Sequence, residues 1–405
     1  MTETIQFSSY QKKVIVMLAL LQFTVVLDFM ILNPLGDILI KSMSMSTKQF
    51  GLIVSAYAFS AGLSGILAAG YADKYDRKNM LLFFYVGFVV GTLLCGMANS
   101  FVTLMLARIV TGLFGGVIAS IGMAIITDLF EAKQRGKVMG FVQMSFAVSQ
   151  VLGIPLGIYI ANLFGWKFAF FGIVIFSIPL GLYVYKNLNP ISEHLKLQNT
   201  KNAFAHLIQT LTNGNYQKGF WATALLSIGG FMLMPFGSAF LVNNIHISQQ
   251  MLPVIFLVTG LFSMVMMPIV GKMSDTYDRF KIFAIGSIWG AVMVVLYTHL
   301  PVVPLWIVLV VNVGLFVGIM SRMVPSGSLN SMVPLPQDRG AYMSITSSLQ
   351  QIAGGVGAMI AGFIVVQKTK TSPIENYGIL GFVCAALILI CIYFTWRVSK
   401  LVVKK

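Results

Sequence analysis

Apolar runs of about 20 residues, each long enough to cross the ~30 Å hydrocarbon core of a bilayer, recur along the whole chain. The sequence is 57% hydrophobic and 10% charged, whereas soluble domains average roughly 25% charged residues. A water-soluble fold could not cover such a surface. The runs predict spans over 14–36, 50–72, 79–99, 102–127, 139–161, 166–188, 217–243, 250–273, 280–299, 303–332, 342–366 and 377–399. The first, Val14 to Gly36, exceeds a signal-peptide apolar region and lacks a small-residue cleavage site, so it reads as a retained helix.

The formal charge of +15 could suggest nucleic acid, but in a membrane protein the distribution of Lys and Arg carries the information. With the N-terminus inside, only Lys41, Lys48, Lys167, Lys368 and Lys370 fall on the outer side, and Arg108 and Arg322 fall inside the membrane. Every other one of the 27 lies in a cytoplasmic segment. Both termini are therefore expected in the cytoplasm, with the chain in a bacterial inner membrane. Cys95, Cys384 and Cys391 sit in apolar spans without metal-ligand or disulfide spacing, and His194, His206, His246 and His299 lie in loops or at span ends. No metal, cofactor or nucleic acid is expected.

Most connections are short, and the exception is a polar, basic stretch over 189–216. It divides the chain into an N-terminal half, 1–188, and a C-terminal half, 217–405. Within it Phe204, Leu207, Ile208 and Leu211 recur at helical spacing, which suggests a helix on the membrane surface; a disordered linker is the competing reading. The halves repeat one another. Asp73, Tyr75, Asp76 and Arg77 after the second span recur as Asp275, Tyr277, Asp278 and Arg279 after the eighth, and at the same offset Gly112, Leu113 and Phe114 recur as Gly314, Leu315 and Phe316. Six spans is an even number, so the two halves run parallel, related by an axis along the membrane normal.

Gly70, Asp73, Asp76, Arg77 and Lys78 form a loop that resembles the signature between helices two and three of the major facilitator superfamily, with one residue fewer after the glycine and Asp76 at its usual later glycine. Arg108 with Gly112, Gly115 and Gly116 resembles the proton-linked motif of that family's fourth helix. Gly153, Pro155 and Gly157 resemble its exporter motif, and Leu27 to Gly36, with Gly165 and Trp166, resemble the drug and sugar efflux (arabinose-efflux-like) branch. The resemblance implies an all-α membrane protein with twelve transmembrane helices in two pseudo-symmetric six-helix bundles around a central cavity. It also implies proton-coupled export of a small molecule by a monomer, and a gating role for the 70–78 loop and for Asp275, Asp278 and Arg279. Glycines and Pro155 in the fifth span also serve ordinary helix packing.

Asp28 is the only acidic side chain well inside a span. Burial disfavours its charged form and an opposing cation favours it, which suits a proton carrier. Asp28 lies eight residues before Gly36 and Arg108 eight after Ser100, so each sits about 12 Å below the outer end at 1.5 Å per residue. The resemblance, which brings spans one and four to one cavity, suggests an Asp28–Arg108 pair that loosens on protonation. A static structural ion pair is the alternative. Neither residue recurs in the second half, so the proton chemistry is expected in the first.

Further candidates for the cavity are Gln22, Asn33, Tyr57, Gln143, Gln150, Asn243, Asn330, Gln350 and Gln351. Arg322 has no acidic residue at comparable depth, and its planar fork suits a carboxylate or phosphate. It is a candidate for an anionic group of the substrate, against a tie to carbonyls freed by Pro325 or snorkelling to water. An importer of the same fold for a nutrient or siderophore remains the runner-up. A membrane enzyme would need a nucleophile and base constellation or an embedded metal cluster, and neither is evident.

Overall fold

In lipid every backbone N–H and C=O must find a partner within the protein, which favours helices along every apolar run. The computed structural model describes residues 7–71, 74–193, 195, 203–335 and 338–403. Its helices are α1 (Ser9–Ile31), α2 (Gly36–Met43), α3 (Thr47–Tyr71), α4 (Arg77–Met97), α5 (Phe101–Leu129), α6 (Ala132–Val148), α7 (Ile154–Phe164) and α8 (Lys167–Asn187). They continue as α9 (Ala203–Thr212), α10 (Gly214–Met232), α11 (Gly237–Asn243), α12 (Leu252–Thr276), α13 (Arg279–Thr298), α14 (Leu305–Ser331), α15 (Arg339–Ile364) and α16 (Tyr377–Val403).

Eleven helical segments among the described residues are long and apolar enough to cross a membrane. α15 is the twelfth span and falls short in apolarity because Ser344, Thr346, Ser347, Ser348, Gln350 and Gln351 crowd its first half. Of these, Thr346 and Ser348 are buried where α15 packs along α3 and α10, while Gln350 is exposed. The twelve spans form two six-helix bundles. Below, the terminal face is the end of the molecule where α1 begins and α16 ends, and the far face is the opposite end.

Two spans are broken for identifiable reasons. Pro155 lacks an N–H, so α6 and α7 are joined by a π-helical turn, Ser149–Gly153. Pro235 sits in the short 3-10 turn Met234–Phe236 between α10 and α11. The duplicated aspartates act as duplicated N-caps. Asp76 accepts from Asn79 N at the start of α4, and Asp278 accepts from Lys281 N at the start of α13.

Glycines set how closely the helices approach. A methyl on Gly116 would run into the Ala61 carbonyl of α3, and one on Gly112 would lie 2.5 Å from the Tyr57 carbonyl. Gly153 and Gly157 let α7 reach Leu27 and Ile31 of α1, where an added methyl would stand 2.6 Å from each side chain. Ser55 Oγ bonds the Gly355 carbonyl at 2.8 Å, joining α3 to α15 across the two bundles.

At the far face the bundles are clasped. The carboxylate of Asp37, only 1% exposed, accepts from Lys41 Nζ at 2.8 Å, Asn243 Nδ2 at 2.6 Å and Gln249 Nε2 at 2.7 Å. Asn162 Nδ2 bonds the Gln249 carbonyl at 3.1 Å and Thr47 Oγ1 bonds the Val365 carbonyl at 2.6 Å.

At the terminal face, Arg77 Nε meets Asp128 at 3.0 Å, while Asp76 accepts from Ile191 N at 2.6 Å. α9 docks beside α10 and α15, with Leu207 buried and Ile208 and Leu211 exposed. Asp338 secures it, accepting from Tyr216 Oη at 2.6 Å and meeting His206 Nε2 at 3.0 Å. Those bonds, Tyr216 first, hold the Asp338 carboxyl below the usual carboxylate range.

Candidate functional site

A charged pair lies at the centre of the N-terminal bundle. Arg108 Nη1 stands 2.7 Å from Asp28 Oδ2, and the two side chains are 1% and 0% exposed. The same Nη1 approaches the Asp28 backbone carbonyl at 3.3 Å. Thr92 Oγ1 of α4 stands 3.1 Å from Asp28 Oδ1. Tyr57 of α3 closes the group from the opposite side, with the Arg108 guanidinium 4.3 Å from its ring centre. An unpaired buried charge costs several kcal/mol, about 2.5 or more at mid-membrane. Mutual neutralisation, the Thr92 contact and the aromatic face reduce that cost here.

Local packing explains why these residues meet. The close α3–α5 approach at Gly112 and Gly116 brings Tyr57 under Arg108, and the contact of Gly153 and Gly157 with Leu27 and Ile31 holds α1 immediately before and one turn after Asp28. Ser145 Oγ and Ser149 Oγ bond the carbonyls of Ala19 and Phe23, pinning α1 further.

Beside the pair is a cavity between the bundles. α1 contributes Gln22, Val25, Val26 and Phe29, α3 contributes Tyr57 and Ala61, α5 contributes Ser120, and α15 contributes Ser347, Ser348 and Gln351. Asp28 and Arg108 do not line it. Tyr57 does, so one residue has a face toward the cavity and a face on the guanidinium. Phe29 packs on Tyr57 with ring centres 5.2 Å apart and on Phe231 of α10 at 5.7 Å, linking the wall to the other bundle.

Of the sequence candidates, Gln22, Tyr57 and Gln351 line the cavity. Gln143 and Gln350 are exposed and lie outside that lining. Gln150 is buried in the π-helical turn, where a methyl added to Gly260 of α12 would stand 3.1 Å from its carbonyl. Asn33 lies in the turn between α1 and α2, its Oδ1 without a partner. Asn243 belongs to the far-face clasp. Asn330 is spent on packing: Nδ2 bonds the Gly219 carbonyl and Thr223 Oγ1, and Oδ1 accepts from Tyr342 Oη at 2.8 Å.

Arg322 requires a correction. It does not face the central cavity; α14 turns it toward Phe283 of α13, whose ring centre is 6.0 Å away, and toward Cys384 and Cys391 of α16. It is 3% exposed, and its Nε and Nη2 have no partner. Depth along α14 was legible in the sequence, but the direction in which the helix points it was not.

In the gating loop, Gly70 lies within α3, and Asp73 falls outside the described residues. Lys78 stands 5.4 Å from the Tyr185 ring centre. Arg279 meets Asp275 only at 3.9 Å and has an unpartnered Nε, so the second copy is less tightly tied than the Arg77–Asp128 bond of the first. Sequence reasoning missed Thr92 and Asp37: the first is an ordinary threonine in an apolar span, and the second stood at a span end.

The model of the Major Facilitator Superfamily matches residues 18–217 and 219–404. The chain is 28% identical over 369 residues to the MFS-type transporter YceJ of Bacillus subtilis, covering 89% of this chain and 91% of that one. It is 23% identical over 386 residues to a Pasteurella multocida protein named "Probable sugar efflux transporter", covering 93% and 91%. The fold matches the crystal structure of a bacterial homologue of the human lysosomal transporter Spinster, in an inward-facing and occupied conformation. There the TM-score is 0.78 at 15% identity, over 98% of this chain and 99% of that one. With its two six-helix bundles, central cavity and matching sequence along almost its whole length, this chain is a multi-pass membrane transporter belonging to the Major Facilitator Superfamily.

Proposed function

We propose that the protein exports a small organic molecule from the cytoplasm in exchange for protons, by alternating access between the halves 1–188 and 217–405. The observation that carries this reading is the fully buried Asp28–Arg108 pair, with Tyr57 stacked on the guanidinium and also lining the cavity. Protonating Asp28 cancels its side of the ion pair and leaves the guanidinium seeking other acceptors. Tyr57, which touches both, is placed to pass that change to whatever occupies the cavity.

The terminal face is the cytoplasmic one on the charge asymmetry of the loops, which makes the Asp37 clasp the closed outer gate and the 70–78 loop a brace of the inner one. The cavity offers amides, hydroxyls and aromatic rings but no charged side chain in its lining, so the substrate class is amphipathic without an obligatory charge. With Arg322 turned away, a preference for anions has no support. The resemblance to a protein named for sugar efflux supports the outward direction.

The test begins with a thermal-shift screen of purified protein against sugars, dyes and antibiotics, since a ligand stabilises the state that it binds. A stabilising compound is then offered to vesicles under a proton gradient. Accumulation in inverted vesicles supports export, whereas accumulation in right-side-out vesicles would make the protein an importer.

A further inference from the structure

Thr92 Oγ1 has one hydrogen and two acceptors within reach, Asp28 Oδ1 at 3.1 Å and the Phe88 carbonyl at 3.0 Å. The hydroxyl cannot donate to both at once, but it can accept while it donates. The Phe88 carbonyl belongs to the same helix one turn back and also takes a backbone N–H in the helical pattern. Losing the side-chain bond therefore leaves it satisfied, and the hydroxyl is free to turn.

The other carboxylate oxygen has no such freedom. Oδ2 is held by Arg108 Nη1 at 2.7 Å, a charge-assisted bond from a group that only donates. A proton on Oδ2 would oppose that bond. A proton on Oδ1 meets an oxygen able to receive it.

We propose that Thr92 is the residue that positions the transported proton on Asp28. In the protonated state, the O–H of Oδ1 donates to Thr92 Oγ1, and the threonine hydrogen donates to the Phe88 carbonyl. In the ionised state, the proton has left to water, the threonine hydroxyl turns, and it donates to Oδ1. No covalent bond of Thr92 breaks: the switch is a rotation about its C–O bond that exchanges the Phe88 carbonyl for Oδ1 as the acceptor. Both states of a fully buried carboxyl group are thereby hydrogen-bonded at Oδ1, which a donor-only or apolar neighbour could not achieve. The charged or titratable groups facing Asp28 are Arg108 from α5, Tyr57 from α3 and Cys95 from α4, and of these only Arg108 bonds the carboxylate. The proposal rests on Asp28 being the proton carrier.

The experiment uses the full chain in lipid nanodiscs, with the protonated-carboxyl infrared band followed through a pH titration. Asp28→Asn identifies the band by removing it. Thr92→Val, close in shape but without the hydroxyl, removes a bond from each state. The charged state loses the stronger one. The proton is then expected to be held about tenfold more tightly, moving the band's midpoint up by about one pH unit, with the C=O stretch at higher frequency. Thr92→Ser is expected to titrate with the wild type. Should Thr92→Val not assemble, Thr92→Ala carries the same expectation. A midpoint that stays, or moves down, overturns the role of Thr92 while the carrier reading stands. If Asp28→Asn leaves the band intact, the carrier reading itself falls.

Discussion

Asp28 and Arg322 show two outcomes of placing a charge inside the membrane. Asp28 has a cation, a hydroxyl and a nearby aromatic face supplied by three other helices. Arg322 has two unpartnered guanidinium nitrogens, Nε and Nη2, and two thiols beside it. A buried guanidinium whose hydrogen bonds are unmade costs stability, and replacing such groups by apolar side chains of similar volume is often neutral or stabilising by about 1–4 kcal/mol. Arg322→Met is therefore expected to keep or raise the melting temperature and leave substrate affinity unchanged. A marked loss of affinity with intact stability would return Arg322 to the substrate site. Sequence reasoning paired Asp28 with Arg108 because counting residues put them at one depth and the family resemblance brought their two spans to one cavity. It misplaced Arg322, Asn243 and Asn330 because the direction of a side chain around the helix axis depends on neighbours that the count does not show. Thr92 carried no signal, since a threonine in an apolar span usually bonds its own helix, as this one also does.

At the scale of elements, glycines decide which helices touch backbone to backbone. On Gly116 a methyl would meet the Ala61 carbonyl, which cannot move without moving α3. On Gly157 it would meet the tip of the Ile31 side chain, which can turn aside. Gly116→Ala should therefore destabilise by about 1–3 kcal/mol, the range of overpacking, and displace Tyr57 from Arg108, whereas Gly157→Ala should cost well under that. Thermal unfolding of the two variants checks the order; equal losses would mean that the α3–α5 contact is looser than the geometry implies. Most span limits were legible to within a few residues because apolar runs end where caps begin, at Ser100, Asp76 and Asp278. The helices of the first and fifth spans start earlier than expected, at Ser9 and Ala132, because their first turns are polar. The break at the π-helical turn was foreshadowed by Pro155. The division of the first span into α1 and α2 was not foreseen, because apolarity continues through the turn at Leu32 to Leu35.

For the whole molecule, the state of the two bundles is a balance between contacts at opposite faces. The Asp37 clasp spans them with bonds from Asn243 and Gln249, each hydrogen bond to a charged group being worth about 1.5–3 kcal/mol. Inverting a two-state population from 1:99 to 99:1 takes about 5.5 kcal/mol, so this one side chain commands a large share of that range. Asp37→Ala is expected to enlarge the population open at the far face. Spin labels at Val102 and Val302, both exposed near that face, would report it as a growing long-distance component, and an unchanged distribution would show that the clasp does not govern the gate.

Coupling and transport separate most cleanly at Asp28→Asn, whose amide keeps the shape of the carboxyl but exchanges no proton at physiological pH. The decisive measurement is uptake of a screened substrate into inverted vesicles carrying the variant, with and without an imposed proton gradient, beside substrate exchange at equal concentrations on both sides. The account predicts that exchange persists while gradient-driven accumulation disappears. Accumulation at the wild-type rate in Asp28→Asn would contradict it and put the proton on another residue.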